Sequence, residues 1–211
     1  MIKIEQVESY GWEAAVRGLR NPMNSWNKSD SWQSDFTDDG KEGFVVGAND
    51  LKLMQTLSKA GNDHGKFLRM ITVTLDITAP LYWWKEFDTY KVGTVANSCS
   101  TMHKIHAKAF TLDDFSHDHL DSDTLYDLKA IISWLNRNRT DYLASKNKRF
   151  WWNMIQLLPS SYNQKRTVQL NYQVLKAMYH ARKAHKLDEW KSFCSWIETL
   201  PYAKELIVGE E

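Results

Sequence analysis

The sequence predicts an α+β protein whose second half is rich in helix, and three observations carry that prediction. Residues Met70 to Thr78 alternate with period two: Val73, Leu75 and Ile77 fall on one face and Thr72, Thr74 and Asp76 on the other. That is the pattern of a strand covered on one side. From Asp121 onward apolar residues recur at helical spacing, as at Leu128, Ile131, Ile132 and Leu135. Finally, 211 residues with 43% hydrophobic and 25% charged content have an ordinary globular composition. A chain of that length makes about one domain, 1–211, and can bury roughly 70% of the surface its unfolded form exposes.

The elements follow in order. Ile2, Ile4 and Val7 suggest a short opening strand, and Trp12 to about Arg20 a helix that Asn21-Pro22 ends, because the residue before proline avoids helical geometry. Residues 21–43 form a long polar loop with Trp26, Trp32 and Phe36 embedded, and a loop of that length is more often functional or mobile than incidental. Asn49 or Asp50 caps a helix running to about Ala60, with Gly61 as its stop. Beyond the Met70–Thr78 strand, Pro80 opens a helix through Phe87. The stretch from Lys91 to Ser100 contains Gly93 and many small residues and leads into a short helix near Met102–Ala107. The rest reads as helix: one from Asp121 or Ser122, one from Phe150 to Leu158, a long one from about Gln164 to Lys183, and a last one from Leu187 to about Thr199.

Charge and cysteine usage exclude several classes. With 27 Lys+Arg against 26 Asp+Glu the formal net charge is +1, which gives no basic excess for a general nucleic-acid binder. No apolar run approaches the ~18 residues that span a bilayer, and the start Met1-Ile2-Lys3-Ile4-Glu5 shows no secretory signal. The expectation is a cytoplasmic protein without membrane contact. Cys99 and Cys194 form no CxxC pair, so neither a disulfide framework nor a common zinc site is expected. The departure from average is aromatic, with Trp 10, Tyr 9 and Phe 8, residues that line cores, ring-stacking sites and interfaces.

On spacing alone, Asn171, Leu175, Met178 and Arg182 form the most informative constellation. Eleven residues of helix return Asn171 and Arg182 to one face about 16 Å apart. An arginine on an otherwise apolar stripe must meet an anion, either an internal carboxylate or a ligand phosphate or carboxylate. His103 and His106, at i and i+3, and the group Asp113, Asp114, His117, Asp118 and His119 match no specific metal pattern and read as solvated surface. No metal site is expected. Arg137, Arg139, Lys146, Lys148 and Arg149 read as a solvated helix end more readily than as a nucleic-acid contact, and Cys99 as a small packed residue more readily than as a nucleophile.

Two segments resemble the flavin-dependent thymidylate synthases, also called thymidylate synthase complementing proteins. Asn49-Asp50-Leu51-Lys52-Leu53-Met54 through Gly61, then Phe67 and Ile71-Thr72-Val73-Thr74-Leu75, are similar to that family's helix, its His-x-Ser-Pro-Phe-Glu segment and its following strand. From Ala79-Pro80 the chain runs without gaps to the position of the family's Arg-His-Arg flavin motif. Leu158-Pro159, Asn171, Leu175 and Arg182 follow its Leu-Pro, Asn, and Leu-then-Arg. Against this stand departures. Thr89-Tyr90-Lys91 replaces Arg-His-Arg, Ile155 and Gln156 replace the arginine before Leu-Pro, and His64 lies one place from the family histidine. Thr94 to His103 needs a one-residue shift to align Asn97 and Ser100 with Ser-x-Asn-Glu-x-Ser-x-Arg-Tyr.

The resemblance implies a small antiparallel sheet and a homotetramer with shared sites. It also implies a pyrimidine nucleotide such as dUMP as ligand, and methyl transfer with folate and reduced FAD. Residue by residue, it assigns Glu86, Asn97, Ser100 and Arg182 to the nucleotide, with Ser100 and Arg182 positioning it for catalysis, and Tyr90, Lys91 and Asn171 to the flavin. Tyr90, Trp83 and Trp84 are candidates for ring stacking, although such residues more often serve as core or interface. Lys91 supplies a point charge where a guanidinium fork stood, which is not a conservative exchange at a pyrophosphate. The nucleotide half of the site is therefore better kept than the flavin half. One alternative is a non-catalytic protein that binds or sequesters a nucleotide, with a phage countering nucleotide-based defence as one setting, and another is a structural oligomer with no ligand.

Overall fold

The computed structural model describes residues 2–34 and 43–209, so the expectation for Phe36 lies outside the described residues. The strands are β1 (Lys3–Tyr10), β2 (Trp32–Ser34), β3 (Gly43–Val45), β4 (Thr72–Pro80), β5 (Thr94–Ser98) and β6 (Asn163–Asn171). The helices are α1 (Trp12–Arg20), α2 (Ala48–Lys59), α3 (Leu81–Phe87), α4 (Thr101–Lys104), α5 (Ser122–Ser145), α6 (Lys148–Gln156), α7 (Tyr172–Arg182) and α8 (Asp188–Ile197), with a π-helical turn at Lys204–Val208. A four-stranded sheet has the order β1-β4-β6-β5, and β2 pairs antiparallel with β3 in the register Trp32↔Val45, Gln33↔Phe44, Ser34↔Gly43. The α+β class, with small antiparallel sheets and many helices, is as expected.

The chain divides into two compact units, residues 1–5, 76–89 and 96–167 forming the first and residues 6–75, 90–95 and 168–211 the second. In the first, α5 and α6 close over a core of Ile105, Phe110, Phe115, Leu128, Ile132, Leu135 and Met154. Trp83, Trp84 and Phe87 of α3 are also buried, and Trp84 Nε1 donates to the Gln164 carbonyl at 2.9 Å. Trp83 and Trp84 are thus core residues rather than exposed surfaces for a ligand ring. In the second unit, α1, α2, α7 and α8 bury Leu19, Met54, Leu175, Met178 and Phe193. Trp12 meets Tyr172 and Tyr202 edge-on at 5.1 and 5.3 Å.

An arginine–aspartate pair lies inside the second unit. Arg20 Nε donates to Asp50 Oδ1 at 2.6 Å, and both side chains are buried. Asp50 Oδ2 also accepts from the hydroxyls of Ser29 and Ser31 and from the amides of Asp30 and Ser31. Burial pushes the Asp50 carboxyl up, but the hydrogen bonds from Ser29, Ser31 and Arg20, with the arginine charge, hold it below the usual aspartate value. The favour is returned by Asp30, whose carboxylate accepts from the Asn49 and Asp50 amides at 2.9 and 3.1 Å. The N-cap of α2 is Gly47, not Asn49 or Asp50 as expected, because Asp30 reaches in from the loop to do the capping. A Cβ on Gly47 would collide with the Asp30 carboxyl group.

Several other expectations fail for identifiable reasons. The long helix Gln164–Lys183 is two elements: β6 through Asn171, then α7 from Tyr172. Gln164, Val168 and Leu170 are the buried positions of that strand, all of even number and so on one face. Asn171 is the N-cap at the junction, its Oδ1 accepting from the Val174 amide at 3.1 Å. The segment Lys91–Ser100 carries strand β5, an element its glycine and small residues do not announce. The short helix is Thr101–Lys104, and Ile131 is exposed while Leu128, Ile132 and Leu135 are buried. The 21–43 loop carries short 3-10 turns and β2 among its described residues.

Candidate functional site

Arg182 ends α7 in the second unit. Leu175 and Met178 on its stripe are fully buried, but Arg182 itself is half-buried at the helix C-terminus, where a cation suits the helix dipole. Its guanidinium lies against two rings, 4.8 Å from the Trp190 ring centre and 5.6 Å from that of Tyr90. Its Nε donates to the Tyr90 hydroxyl at 2.9 Å. Trp190 is fully buried and meets Tyr90 at 6.1 Å, with the two planes 64° apart. Stacking of this kind fixes the plane of a guanidinium through its face, while recognition of a carboxylate or phosphate uses its edge.

The segment carrying Tyr90 runs beside α7 because Gly93 permits it. Gly93 has φ +78°, and a Cβ there would stand 2.9 Å from Asn171 Nδ2 and 3.1 Å from Val174 Cγ2. Tyr90 therefore contacts the C-terminal end of α7 while Gly93 packs at its N-terminal end. Of the second-unit residues named from the sequence, Tyr90 and Arg182 come into contact, Asn171 serves as the α7 cap, and Lys91 is exposed.

The first unit holds the other three. Half-buried Glu86 sits in α3 and its carbonyl accepts from the Thr89 hydroxyl at 2.7 Å. Asn97 is exposed on β5. Ser100 caps α4, its Oγ accepting from the His103 amide at 3.0 Å, and lines a cleft of about 300 Å³ with Cys99, Lys104, Lys108, Tyr162 and Lys165. Beside α3 lies an arginine that sequence reasoning missed. Arg166 stacks on Trp84 at 4.2 Å and pairs with Asp88 at 2.7 Å. Its sequence signal is its place in the run Gln164 to Leu170, whose alternation merges into the helical spacing that follows.

Cys99 is exposed, whereas Cys194 is buried and its thiol is pushed up to about 11 by burial and then by Glu198. Cys194 is therefore no nucleophile near neutral pH. Among the described residues no three His, Cys, Asp or Glu side chains gather as a metal set, and no helix is long and apolar enough to cross a membrane.

No protein-family model and no curated protein matches this chain. Solved structures do. Thymidylate synthase X from Helicobacter pylori, determined with FAD and dUMP, superposes with a TM-score of 0.71 over 98% of this chain and 97% of its own at 13% identity. A second structure from Helicobacter pylori, a flavin-dependent thymidylate synthase complexed with FAD and dUMP, gives 0.67 over 97% of each chain at 15% identity. The UMP/dUMP methylase PolB from Streptomyces cacaoi, bound with 5-Br dUMP, gives 0.59 over 94% of this chain and 89% of that one at 13% identity. The chain has their fold. At these identities the likeness shows the fold alone.

Whether the residues of the altered motif suit a flavin dinucleotide can be tested on their contacts. The Thr89 hydroxyl donates to the Glu86 carbonyl, and the Tyr90 hydroxyl accepts from Arg182. Lys91 adds one exposed ammonium. A pyrophosphate is held by forked or convergent donors, and Thr89-Tyr90-Lys91 does not supply them. At this tripeptide the residues do not fit the group.

Proposed function

We propose that this protein binds a pyrimidine nucleoside monophosphate of the dUMP type, and that Arg182, held between Tyr90 and Trp190, is its phosphate-recognising group. The observation that carries the proposal is the fold. The likeness runs over nearly the full length of solved proteins determined with dUMP or UMP compounds. The stacked guanidinium supports it, since a face-held arginine is pre-organised for an anion in its plane. Assembly as an oligomer is proposed with it, and the family resemblance separately assigns Glu86, Asn97 and Ser100 of the first unit to the nucleotide. Tyr90 serves here as a partner of Arg182 rather than as a flavin contact.

The mismatch at Thr89-Tyr90-Lys91 favours the non-catalytic reading over methyl transfer with folate and FAD. The deciding experiment pairs two measurements on purified protein. A dUMP-dependent rise in melting temperature, without FAD retained through desalting, is the expected outcome. Stoichiometric yellow flavin retained after desalting would restore the methyltransferase reading. Absence of any dUMP, UMP or dTMP effect would remove the nucleotide reading.

A further inference from the structure

The first unit contains a second cleft, of about 390 Å³, lined by His103, His106, Tyr142, Lys148, Trp151 and Trp152. None of these residues enters the nucleotide proposal, and Arg182 belongs to the other unit. The walls are fixed by the fold. Trp151 Nε1 donates to the Met102 carbonyl at 3.1 Å, Arg139 Nε donates to the His106 carbonyl at 3.0 Å, and the His106 ring meets Tyr142 edge-on at 4.9 Å. Trp151 and Trp152 meet at 4.8 Å, with Trp152 48% exposed, so one indole is anchored and its neighbour is open to solvent.

Two side chains of this cleft, His106 and Lys148, lack a hydrogen-bond or ionic partner for a polar group among the described residues. His106 Nδ1 is buried and makes no hydrogen bond among the described residues, an arrangement that native folds usually relieve with a water, ion or ligand. Lys148 and Arg149 stand in the first turn of α6, where no acidic residue offsets them. Cations there face the positive end of the helix dipole, the reverse of the favoured placement. No carboxylate pairs with either one among the described residues. Lys146 adds a further cation nearby, its Nζ 5.8 Å from the ring centre of Tyr142, which lines the cleft. A bound anion would offset these charges, and three aromatic side chains around it would accept a flat ring.

We propose that this cleft binds a small planar aromatic anion, with its ring against Trp152 and Tyr142 and its carboxylate or phosphate group at Lys148. The basic helix end is then the charged wall of a site rather than solvated surface alone, and His103 and His106 are part of its lining. Both halves of the ligand are required: the ring without charge leaves Lys148 unanswered, and the charge without a ring leaves the indole wall wet.

The test uses the full chain and four probes, followed by the indole N–H signals in a two-dimensional NMR spectrum. Phenyl phosphate and benzoate each carry ring and charge; phenol lacks the charge and inorganic phosphate lacks the ring. Saturable shifts of the Trp151 and Trp152 signals are expected with phenyl phosphate or benzoate, at affinities at least tenfold above those of phenol and inorganic phosphate. Whichever anion binds tighter identifies the source as phosphoryl or carboxylate. Lys148→Glu and Trp152→Ala, both at exposed positions, should each weaken that binding about tenfold while the remaining spectrum shows the native fold. Equal binding of phenol or inorganic phosphate, absence of saturable shifts at Trp151 and Trp152 with either anion at millimolar concentration, or unchanged affinity in Lys148→Glu would overturn the proposal.

Discussion

Arg20 and Arg182 carry the same guanidinium in the same unit, and the fold uses them in opposite ways. Arg20 is sealed onto a buried carboxylate, which two serine hydroxyls and two amides also satisfy. Arg182 is held by its face against Tyr90 and Trp190 and gives its Nε to a phenol. The first arrangement directs donors at an internal anion and tolerates no exchange. The second fixes orientation through ring faces. Arginine count and net charge therefore say little about ligands; what the guanidinium rests on says more.

The sharpest way to break this contrast is at Arg20. Arg20→Ala leaves the Asp50 charge buried with one partner fewer and should cost about 3–5 kcal/mol of stability, read by denaturant unfolding. A loss below about 1 kcal/mol would show that the serines and amides suffice alone. The pair also has a pH signature. Because the Asp50 carboxyl is held below its ordinary value in the folded state, its contribution is complete above the ordinary aspartate range and declines as pH falls through the lowered folded value. The wild type should lose stability in that acid window more steeply than Asp50→Asn does.

Arg182→Ala should behave differently. Its own effect on stability should be near 1 kcal/mol, while the dUMP-dependent stabilisation, about 2.7 kcal/mol at a hundredfold excess over Kd, should vanish from thermal melts. A rise that survives would make Arg182 another structural arginine and erase the distinction from Arg20. Asn171→Ala removes the α7 cap and should cost about 1 kcal/mol, with the nucleotide effect reduced rather than lost. Tyr90→Phe is the finest probe. It keeps the ring and deletes only the hydroxyl that accepts from Arg182, so a loss of about 0.5–1.5 kcal/mol with a few-fold weaker dUMP would assign Tyr90 to holding the guanidinium. A tenfold gain in FAD retention in that variant would instead return Tyr90 to the flavin.

Sequence patterning recovered the elements whose burial repeats over several turns or pleats. α1 spans Trp12–Arg20 as expected, and Val73, Leu75 and Ile77 of β4 are fully buried. It failed where two periods meet. In the run Gln164–Lys183 a strand with alternating burial feeds directly into a helix, and reading one period across both hid the cap at Asn171. The site was legible only in part, for a related reason. Arg182 was marked by spacing and Tyr90 by motif position, but their contact crosses 92 residues, a separation that no local pattern encodes. Trp190 was not singled out at all, because within α8 it reads as one more apolar position. The α2 cap escapes sequence patterning for the same cause, since the carboxylate that accepts its amides, Asp30, lies outside the helix.

The reciprocal bonds between Asp30 and Asp50 bear on how the second unit opens. Each aspartate accepts the other's amide proton, and Gly47 lies too close to Asp30 for any side chain to stand between them. The turn at 29–31 and the first turn of α2 are thus joined like two halves of a clasp, and neither can lift while the other stays seated. In hydrogen exchange the amides of Asp30, Ser31, Asn49 and Asp50 should share one opening rate, although nearly twenty positions of chain separate the two pairs.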